Sequence, residues 1–350
     1  MPYQPPYTIS PAILNLVAEI SEAVGRLTAM AQLDNTLNLR RINRIRTIQG
    51  SLAIEGNTLS ESQITAILEG KRVIAPPREV QEVRNALRAY DCFERWRPEQ
   101  EDDLLEAHRM LMAGLIDEEG AYRQGGVGVM AGEQVIHMAP GANQVPRLMA
   151  DLLAWLAHSE APPLITSAVF HYEFEFIHPF ADGNGRMGRL WQTLILSRWN
   201  PLFTNIPVES LIFQHQQAYY DALAASTKQT DSAPFIEFML NRILEAIQAA
   251  ETADPINEQT ADQVADQVSD QVARLLVAMN DKTKGSTVWN SKNLMQALGL
   301  SHRATFRNNY LNPALAQAWI EQTQPDSPRS PTQGYRLTAK GLDWLAQGLK

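Results

Sequence analysis

The sequence predicts a mostly α-helical protein with one small β-hairpin and a smaller α+β domain at its C-terminal end. Apolar residues recur at helical spacing through residues 10–250. The interval 123–146 mixes short β-prone runs with glycine, which is typical of a hairpin. From residue 281 the pattern indicates two helices, a strand, a proline-rich loop, a second strand and a closing helix. That order is typical of a winged helix.

The composition is that of a folded protein without a disulfide framework. Of 350 residues, 45% are hydrophobic and 20% are charged, which is enough for two or three domains with real cores. The single cysteine, Cys92, excludes an intramolecular disulfide. The first residues carry no basic segment before an apolar run, and no apolar stretch is long enough to span a membrane. We expect a cytoplasmic protein that does not contact a membrane.

Charge is distributed unevenly along the chain. Residues 281–350 contain nine Lys or Arg and four Asp or Glu, a balance of +5, so the total of −9 leaves −14 on the remainder. An acidic body argues against nonspecific binding of nucleic acid by the whole protein. The basic C-terminal domain leaves contact with DNA open for that part alone.

The patterns divide the chain into four segments. They are an N-terminal helical region 1–98, a core domain 99–250, a helical linker 251–280 and a winged-helix domain 281–350. The linker contains ADQV-ADQV-SDQV, which places Val264, Val268 and Val272 in one row along a helix. Three short repeats are too few to predict a coiled coil. A linker helix is therefore favoured over a dedicated oligomerisation helix, although a homodimer stays possible.

Residues 178–189, HPFADGNGRMGR, concentrate groups that bind anions. The Gly-Asn-Gly run at 183–185 tolerates positive φ, so that consecutive backbone N–H groups can form a concave anion site. The helix predicted after it directs its positive end to the same place. Arg186 and Arg189 lie on the first turn of that helix, and their forked guanidiniums suit phosphate oxygens. Together these features predict a polyphosphate site.

Two neighbouring side chains could supply chemistry at this site. Asp182 is a hard oxygen ligand that suits Mg²⁺ shared with phosphate oxygens. His178 could accept a proton from an incoming hydroxyl near neutral pH. Taken singly, a histidine is often a core residue and a pair of arginines is often a solvated helix face. The complete motif favours a phosphate site with a general base.

The same stretch resembles the Fic-domain signature, His-x-Phe-x-(Asp/Glu)-Gly-Asn-Gly-Arg-x-x-Arg, at every constrained position. The resemblance extends to GAYRQGGV and the hairpin, to HYEFEFIHPF, and to AYYDALAAS and APFIEFM downstream. Residues 281–350 resemble the winged-helix tail that many bacterial members carry. The resemblance therefore implies the helical Fic core, and it covers nearly the whole chain.

Most Fic proteins transfer AMP from ATP to a Tyr, Thr or Ser hydroxyl of a protein and release pyrophosphate. The resemblance implies that His178 is the general base and that Asp182 binds Mg²⁺. It implies phosphate contacts from Gly183, Asn184, Gly185, Arg186 and Arg189. The hairpin around Val135, Ile136 and His137 resembles the family flap, which binds the target backbone by strand addition.

A downstream helix resembles the part of the family that contacts adenine. Tyr219 and Tyr220 resemble the paired tyrosines of the adenine pocket, and Thr227 lies where other members place a further nucleotide contact. Adjacent aromatic residues on an amphipathic helix are also typical of a core. Both interpretations stay open from the sequence.

A second stretch, SLAIEGN at 51–57, resembles the family's inhibitory motif, (Ser/Thr)-x-x-x-Glu-(Gly/Asn), with Ser51, Glu55 and Gly56 in place. The resemblance implies that Glu55 pairs with Arg189 and occupies the guanidinium that the γ-phosphate of ATP requires. The protein would then be autoinhibited at rest. The simpler alternative is an ordinary surface or capping acid.

Three functions stay open at this stage. The leading one is AMP transfer restrained by Glu55; the second is removal of AMP from a modified target by the same site, as in some Fic proteins. The third is a DNA-binding regulator whose core only senses a nucleotide. Arg303 and Arg307 lie one turn apart and could meet phosphates or a guanine edge, although winged helices also dock proteins. Other members transfer UMP, phosphate or phosphocholine, and the intact motif favours AMP.

Overall fold

The protein consists of two compact units, residues 1–256 and 257–350. The computed structural model describes residues 3–31, 37–131, 134–252, 270–280, 288–300, 303–324 and 333–347. Helices dominate both units in these ranges, and each unit contains a two-stranded antiparallel sheet. The predicted mostly α fold class is therefore confirmed. No helix in the described ranges is long and apolar enough to cross a membrane.

The first unit is a helical body built around a buried pair of helices. Its helices are α1 (Pro11–Ala31), α2 (Leu37–Ile54), α3 (Glu61–Leu68), α4 (Pro77–Cys92), α5 (Glu101–Met112), α6 (Val145–His158), α7 (Pro163–Ile177), α8 (Asn184–Trp199), α9 (Val208–Gln214), α10 (Gln216–Gln229) and α11 (Ala233–Thr252). Almost every residue of α7 is buried, because α6, α8 and α11 all pack against it. A helix that is apolar all round belongs in a core, and the motif 178–189 connects α7 to α8.

The helix α2 is held close to the core by a glycine. It packs against α9, and a Cβ on Gly50 would lie 2.6 Å from the backbone nitrogen of Ser210. Only glycine allows the two backbones to approach this closely. The contact brings the end of α2, and with it the stretch 51–57, to the start of α8.

The hairpin predicted in 123–146 is present. Strands β1 (Gly128–Ala131) and β2 (Gln134–Met138) pair antiparallel, with Val129 opposite His137 and Met130 opposite Val135. The register shifts between these two pairs and leaves Ile136 as the extra residue of a β-bulge. The three residues predicted for the flap therefore all lie on β2.

The second unit combines short helices with a small sheet. Its elements are α12 (Asp270–Met279), α13 (Ser291–Ala297), α14 (Arg303–Phe306), a π-helical turn (Arg307–Leu311), α15 (Asn312–Ala316), β3 (Ile320–Gln322), β4 (Tyr335–Leu337) and α16 (Ala339–Gln347). Val272, Leu275 and Leu276 of α12 belong to its core, so this helix is part of the unit, whereas the sequence predicts it within the linker 251–280. Val264 and Val268 lie outside the described residues.

Candidate functional site

His178 ends α7 in a left-handed conformation, with φ 51° and ψ 61°. Its N–H donates to the carbonyl of Phe174 at 2.9 Å, and its carbonyl accepts from Nε of Arg123 at 2.7 Å. The side chain keeps 20% of its surface exposed. Because both backbone groups are bonded, the backbone of His178 is held in place while the ring stays accessible.

Arg123 supports this loop through main-chain contacts, a role that the sequence did not predict. Its guanidinium donates to four main-chain carbonyls, those of Gly125, Pro140, Ile177 and His178. The residue is only 2% exposed, and its backbone N–H donates to the carbonyl of Pro179. One buried arginine therefore joins the segment before the hairpin, the segment after it and the end of α7.

We expect Arg123→Lys to lower the free energy of unfolding by about 3 kcal/mol, because a lysine ammonium cannot reach four carbonyls arranged around a planar fork. For a unit of this size the unfolding midpoint should fall by about 6–12 °C. Thermal unfolding followed by circular dichroism measures the change. Arg147→Lys is the matched control, because Arg147 is exposed and pairs with Asp151 along α6. Equal midpoints for the two variants would contradict the role of Arg123.

Asn184 closes the loop between the two buried helices. Its Oδ1 accepts from the N–H of Phe180 and its Nδ2 donates to the carbonyl of the same residue, both at 2.9 Å. Gly183 has φ 85°, and a Cβ there would lie 2.6 Å from Sδ of Met112. Since the amide of Asn184 is used within the loop and the residue is 2% exposed, a contact with phosphate is left to its backbone N–H.

His108 supports the other side of the loop and was also missed in the sequence. Its ring stacks on Phe180 with centroids 3.6 Å apart. Nδ1 accepts from the N–H of Gly120 at 2.9 Å, so Nε2 carries the proton and donates to the carbonyl of Asp182 at 3.0 Å. Burial lowers the pKa of His108 to about 4, which keeps the ring neutral at physiological pH.

Asp182 lies among arginines at the surface of the site. Its Oδ1 accepts from the N–H of Gly183 at 2.6 Å and from Arg186 at 3.1 Å, and its Oδ2 accepts from Arg78 at 3.2 Å. Glu82 lies 3.5 Å from both arginines. A Mg²⁺ bound together with phosphate needs only one or two protein carboxylates. Asp182, with 42% of its side chain exposed, fits that requirement once the guanidiniums turn away. In the described residues no cluster of three or more His, Cys, Asp or Glu forms a larger metal cage.

The structure brings Glu55 and Arg189 into contact. Nη2 of Arg189 donates to Oε1 of Glu55 at 2.7 Å and to the carbonyl of Ser51 at 2.9 Å, and Nε donates to the hydroxyl of Ser51 at 3.2 Å. Gly56, with φ 91°, lies in the turn that ends α2. Although burial disfavours the charged guanidinium, the Glu55 carboxylate raises the pKa of Arg189 above its usual value.

The Glu55 carboxylate lies directly over the first turn of α8. A Cβ on Gly185 would lie 2.3 Å from Oε1 of Glu55 and 2.9 Å from Nη1 of Arg189. The first turn of a helix is where backbone N–H groups and the helix dipole favour an anion. Glu55 therefore occupies the position in which a phosphate oxygen would meet both Gly185 and Arg189.

The residues predicted for the adenine pocket differ in their surroundings. Tyr219 is 2% exposed and its hydroxyl lies 3.1 Å from Nε2 of His171. Thr227 donates to the carbonyl of Leu223 at 3.0 Å and lies 3.2 Å from the hydroxyl of Tyr172. Both side chains therefore contact residues of α7, while the half-buried Tyr220 keeps surface available for a ring contact.

Two further predicted groups lie elsewhere. Val135, Ile136 and His137 form the middle of β2, the second strand of the hairpin. Arg303 and Arg307 are exposed at the start of α14 and at the first position of the π-helical turn in the second unit. Their functional contacts stay predictions.

Comparisons with known proteins match both units. The model of the Fic/DOC family matches residues 98–196, and the model of the Filamentation induced by cAMP protein Fic-like C-terminal domain matches residues 270–338. The solved structure of a Fic family protein from Desulfovibrio desulfuricans G20 is 58% identical, with a TM-score of 0.69. The match covers 96% of this chain and 99% of that one.

Two proteins from animals match part of the chain. Protein adenylyltransferase Fic from Aedes aegypti is 31% identical over 223 residues, 59% of this chain and 42% of that protein. Protein adenylyltransferase fic-1 from Caenorhabditis elegans is 31% identical over 231 residues, 62% of this chain and 43% of that protein. The chain thus spans about two fifths of the length of these relatives. Because the motif loop between α7 and α8 matches the family model and a 58% identical Fic structure is covered almost end to end, the chain belongs to the Fic family.

Proposed function

We propose that the protein is an adenylyltransferase that moves AMP from ATP to a Tyr, Thr or Ser hydroxyl of a protein, its own chain included, and that Glu55 restrains this reaction. The observation that carries the proposal is the accessible imidazole of His178 next to a helix start whose anion position Glu55 already fills. A helix start that accepts a carboxylate can also accept a phosphate oxygen. The names of the two animal relatives support the same activity.

In this proposal residues 182–189 bind ATP and Mg²⁺, and His178 accepts the proton. The backbone N–H groups at 183–185 would face the α-phosphate, and Arg186 and Arg189 would hold the β- and γ-phosphates. Asp182 would hold Mg²⁺, which when bound neutralises charge on phosphate oxygens. The target oxygen bonds to the α-phosphorus, the bond to pyrophosphate breaks, and His178 takes the hydroxyl proton.

Glu55 would restrain the reaction by competing for Arg189. As long as their 2.7 Å ion pair persists, that guanidinium is not available to the γ-phosphate. ATP that binds without this contact leaves its α-phosphate turned away from attack. Removal of AMP from a modified target by the same site is the alternative activity, because it uses the same groups.

We also propose roles for the peripheral elements. The edge of β2 would pair with the backbone of the target, and Tyr220 would contact adenine. The order of helices and strands in the second unit supports a winged helix, for which Arg303 and Arg307 would provide a basic edge. Contact with DNA, a homodimer and a cytoplasmic location stay predictions.

The activity is tested with purified Glu55→Gly protein, Mg²⁺ and ATP labelled at either the α- or the γ-phosphate. AMP transfer should label the protein from α-labelled ATP only, because pyrophosphate carries the γ-label away. Label from γ-labelled ATP would instead mean phosphate transfer. No label from either ATP, or from α-labelled UTP in parallel, would contradict nucleotide transfer to the protein's own chain.

A further inference from the structure

A carboxyl group is buried beside the His178 ring. Glu175, one turn earlier on α7, is 7% exposed. Its Oε2 lies 3.7 Å from Nδ1 of His178, and its Oε1 lies 3.9 Å from Nε2 of His171. Burial raises the pKa of Glu175 to about 8, with Arg189 opposing and Glu55 adding to this shift. An ionisable group kept in such a place at a cost to stability is typical of a functional site.

His171 does not donate a hydrogen bond to the carboxyl group of Glu175. Nδ1 of His171 lies 2.5 Å from the amide oxygen of Gln192, which only accepts, so Nδ1 carries the proton. Nε2 is then an acceptor, and the Tyr219 hydroxyl donates a hydrogen bond to it at 3.1 Å. Burial lowers the pKa of His171 to about 3, so the ring stays neutral and offers Glu175 no hydrogen.

The two oxygens of the Glu175 carboxyl group have different surroundings. A Cβ on Gly188 would lie 2.9 Å from Oε1, so the helix α8 closes that side. Oε1 has no hydrogen-bond partner in the described residues. The other oxygen faces the Nδ1 edge of His178, whose backbone is fixed by Phe174 and Arg123.

We propose that Glu175 is a positioning residue for His178. Its carboxylate accepts a hydrogen bond from Nδ1–H, which leaves the lone pair of Nε2 directed at the target hydroxyl. When Nε2 takes the proton of that hydroxyl, the carboxylate stays ionised and stabilises the imidazolium. This inference rests on the proposed AMP transfer, in which His178 is the base.

The role of Glu175 depends on pH and on Glu55. Six titratable or charged groups of the described residues face Glu175, namely His171, His178, Arg189, Glu55, Tyr219 and Tyr220. Because the pKa of Glu175 is raised, the ionised fraction of this side chain increases as the pH rises towards about 8. When the Glu55 carboxylate moves away, the pKa of Glu175 falls. Loss of the ion pair between Glu55 and Arg189 therefore also favours the ionised form of Glu175.

Kinetics in a Glu55→Gly background test the inference. Glu175→Gln keeps the shape of the side chain and removes its charge, so kcat should fall about 10- to 100-fold while KM for ATP changes less than about 2-fold. The acid side of the pH profile should contain two ionisations in the parent and one in the variant. Glu173→Gln is the matched control, because Glu173 is a buried glutamate on the same helix that accepts from Tyr3 at 2.7 Å instead.

A chemical probe tests the same contact without AMP transfer. Diethyl pyrocarbonate reacts at the neutral imidazole, whose lone pair bonds to the reagent's carbonyl carbon while ethanol and carbon dioxide leave. The rate at His178, read by peptide mass spectrometry relative to the exposed His158, should fall about 3-fold or more in Glu175→Gln. The rate should be unchanged in Glu173→Gln.

The outcomes separate this inference from the proposed function. Unchanged kcat, pH profile and carbethoxylation in Glu175→Gln would overturn it, as would an equal loss in Glu173→Gln. A rise in KM for ATP without a fall in kcat would also overturn it, because positioning of the base acts on the chemical step. An unlabelled parent combined with slower carbethoxylation in Glu175→Gln would contradict AMP transfer and still support the contact between Glu175 and His178.

Discussion

Replacement of Glu55 by glycine is expected to raise the rate of self-labelling by α-labelled ATP about 100-fold. The wild-type carboxylate holds Arg189 in a 2.7 Å ion pair and lies against Gly185, where a phosphate oxygen would lie. A charge-assisted hydrogen bond at a partly buried site contributes roughly 3 kcal/mol, which corresponds to about two orders of magnitude in rate. Initial rates at saturating Mg²⁺ and several ATP concentrations measure the effect.

Two variants make this result specific. Glu118→Gly removes an exposed acid from another loop and should leave the rate at the wild-type value. Arg189→Ala in the Glu55→Gly background should return the rate to the wild-type value or below. In that double variant the γ-phosphate has no Arg189 guanidinium to bind. If Glu55→Gly labels no faster than wild type, Glu55 is not the restraint.

Removal of Glu55 should also change how ATP affects stability. Without the carboxylate, Arg189 keeps its hydrogen bonds with Ser51 but loses its 2.7 Å ion pair, and an incompletely paired buried charge is costly. We therefore expect the Glu55→Gly protein to unfold at a lower temperature than wild type in the absence of nucleotide. Addition of ATP and Mg²⁺ should raise its unfolding midpoint by more than that of wild type.

The parts of the site that the sequence predicted are contiguous along the chain. His178, Asp182 and Arg186 lie within one turn and the helix that follows it, so their spacing alone brings them together. The helical body and the hairpin were predictable for the same reason, since apolar spacing and glycine-rich turns are local signals. Glu55 was the exception, because only a resemblance to a known motif connected it with a residue far along the chain.

The supporting residues could not be predicted, because tertiary packing decides their partners. Arg123 and His108 each bond to main-chain atoms of the 177–182 segment from other parts of the chain, and no local pattern marks an arginine or a histidine for that task. The same limit applies to Tyr219. A tyrosine pair on a helix can face a ligand or a core, and only the folded structure shows that the Tyr219 hydroxyl lies against the buried His171.

Replacement of His178 is expected to give the largest loss. In the Glu55→Gly background, His178→Ala should lower kcat for AMP transfer about 1000-fold, within the range of about 10²–10⁴ that general-base catalysis contributes. ATP binding should change little, because the phosphate contacts proposed here come from residues 183–189. Equilibrium binding of ATP and single-turnover labelling measure the two effects separately.

Because His178 has φ 51°, alanine at this position adds backbone strain that could distort the loop. His178→Asn removes this ambiguity, since asparagine tolerates the left-handed conformation and its amide is a far weaker base. Both variants should lose AMP transfer equally, and His158→Ala, at an exposed histidine on α6, should lose none. A His178→Asn protein that labels itself at the parent rate would remove the general base from the proposal. Loss of labelling with unchanged ATP binding would place proton transfer at this ring, and a core that only senses a nucleotide would then no longer explain the site.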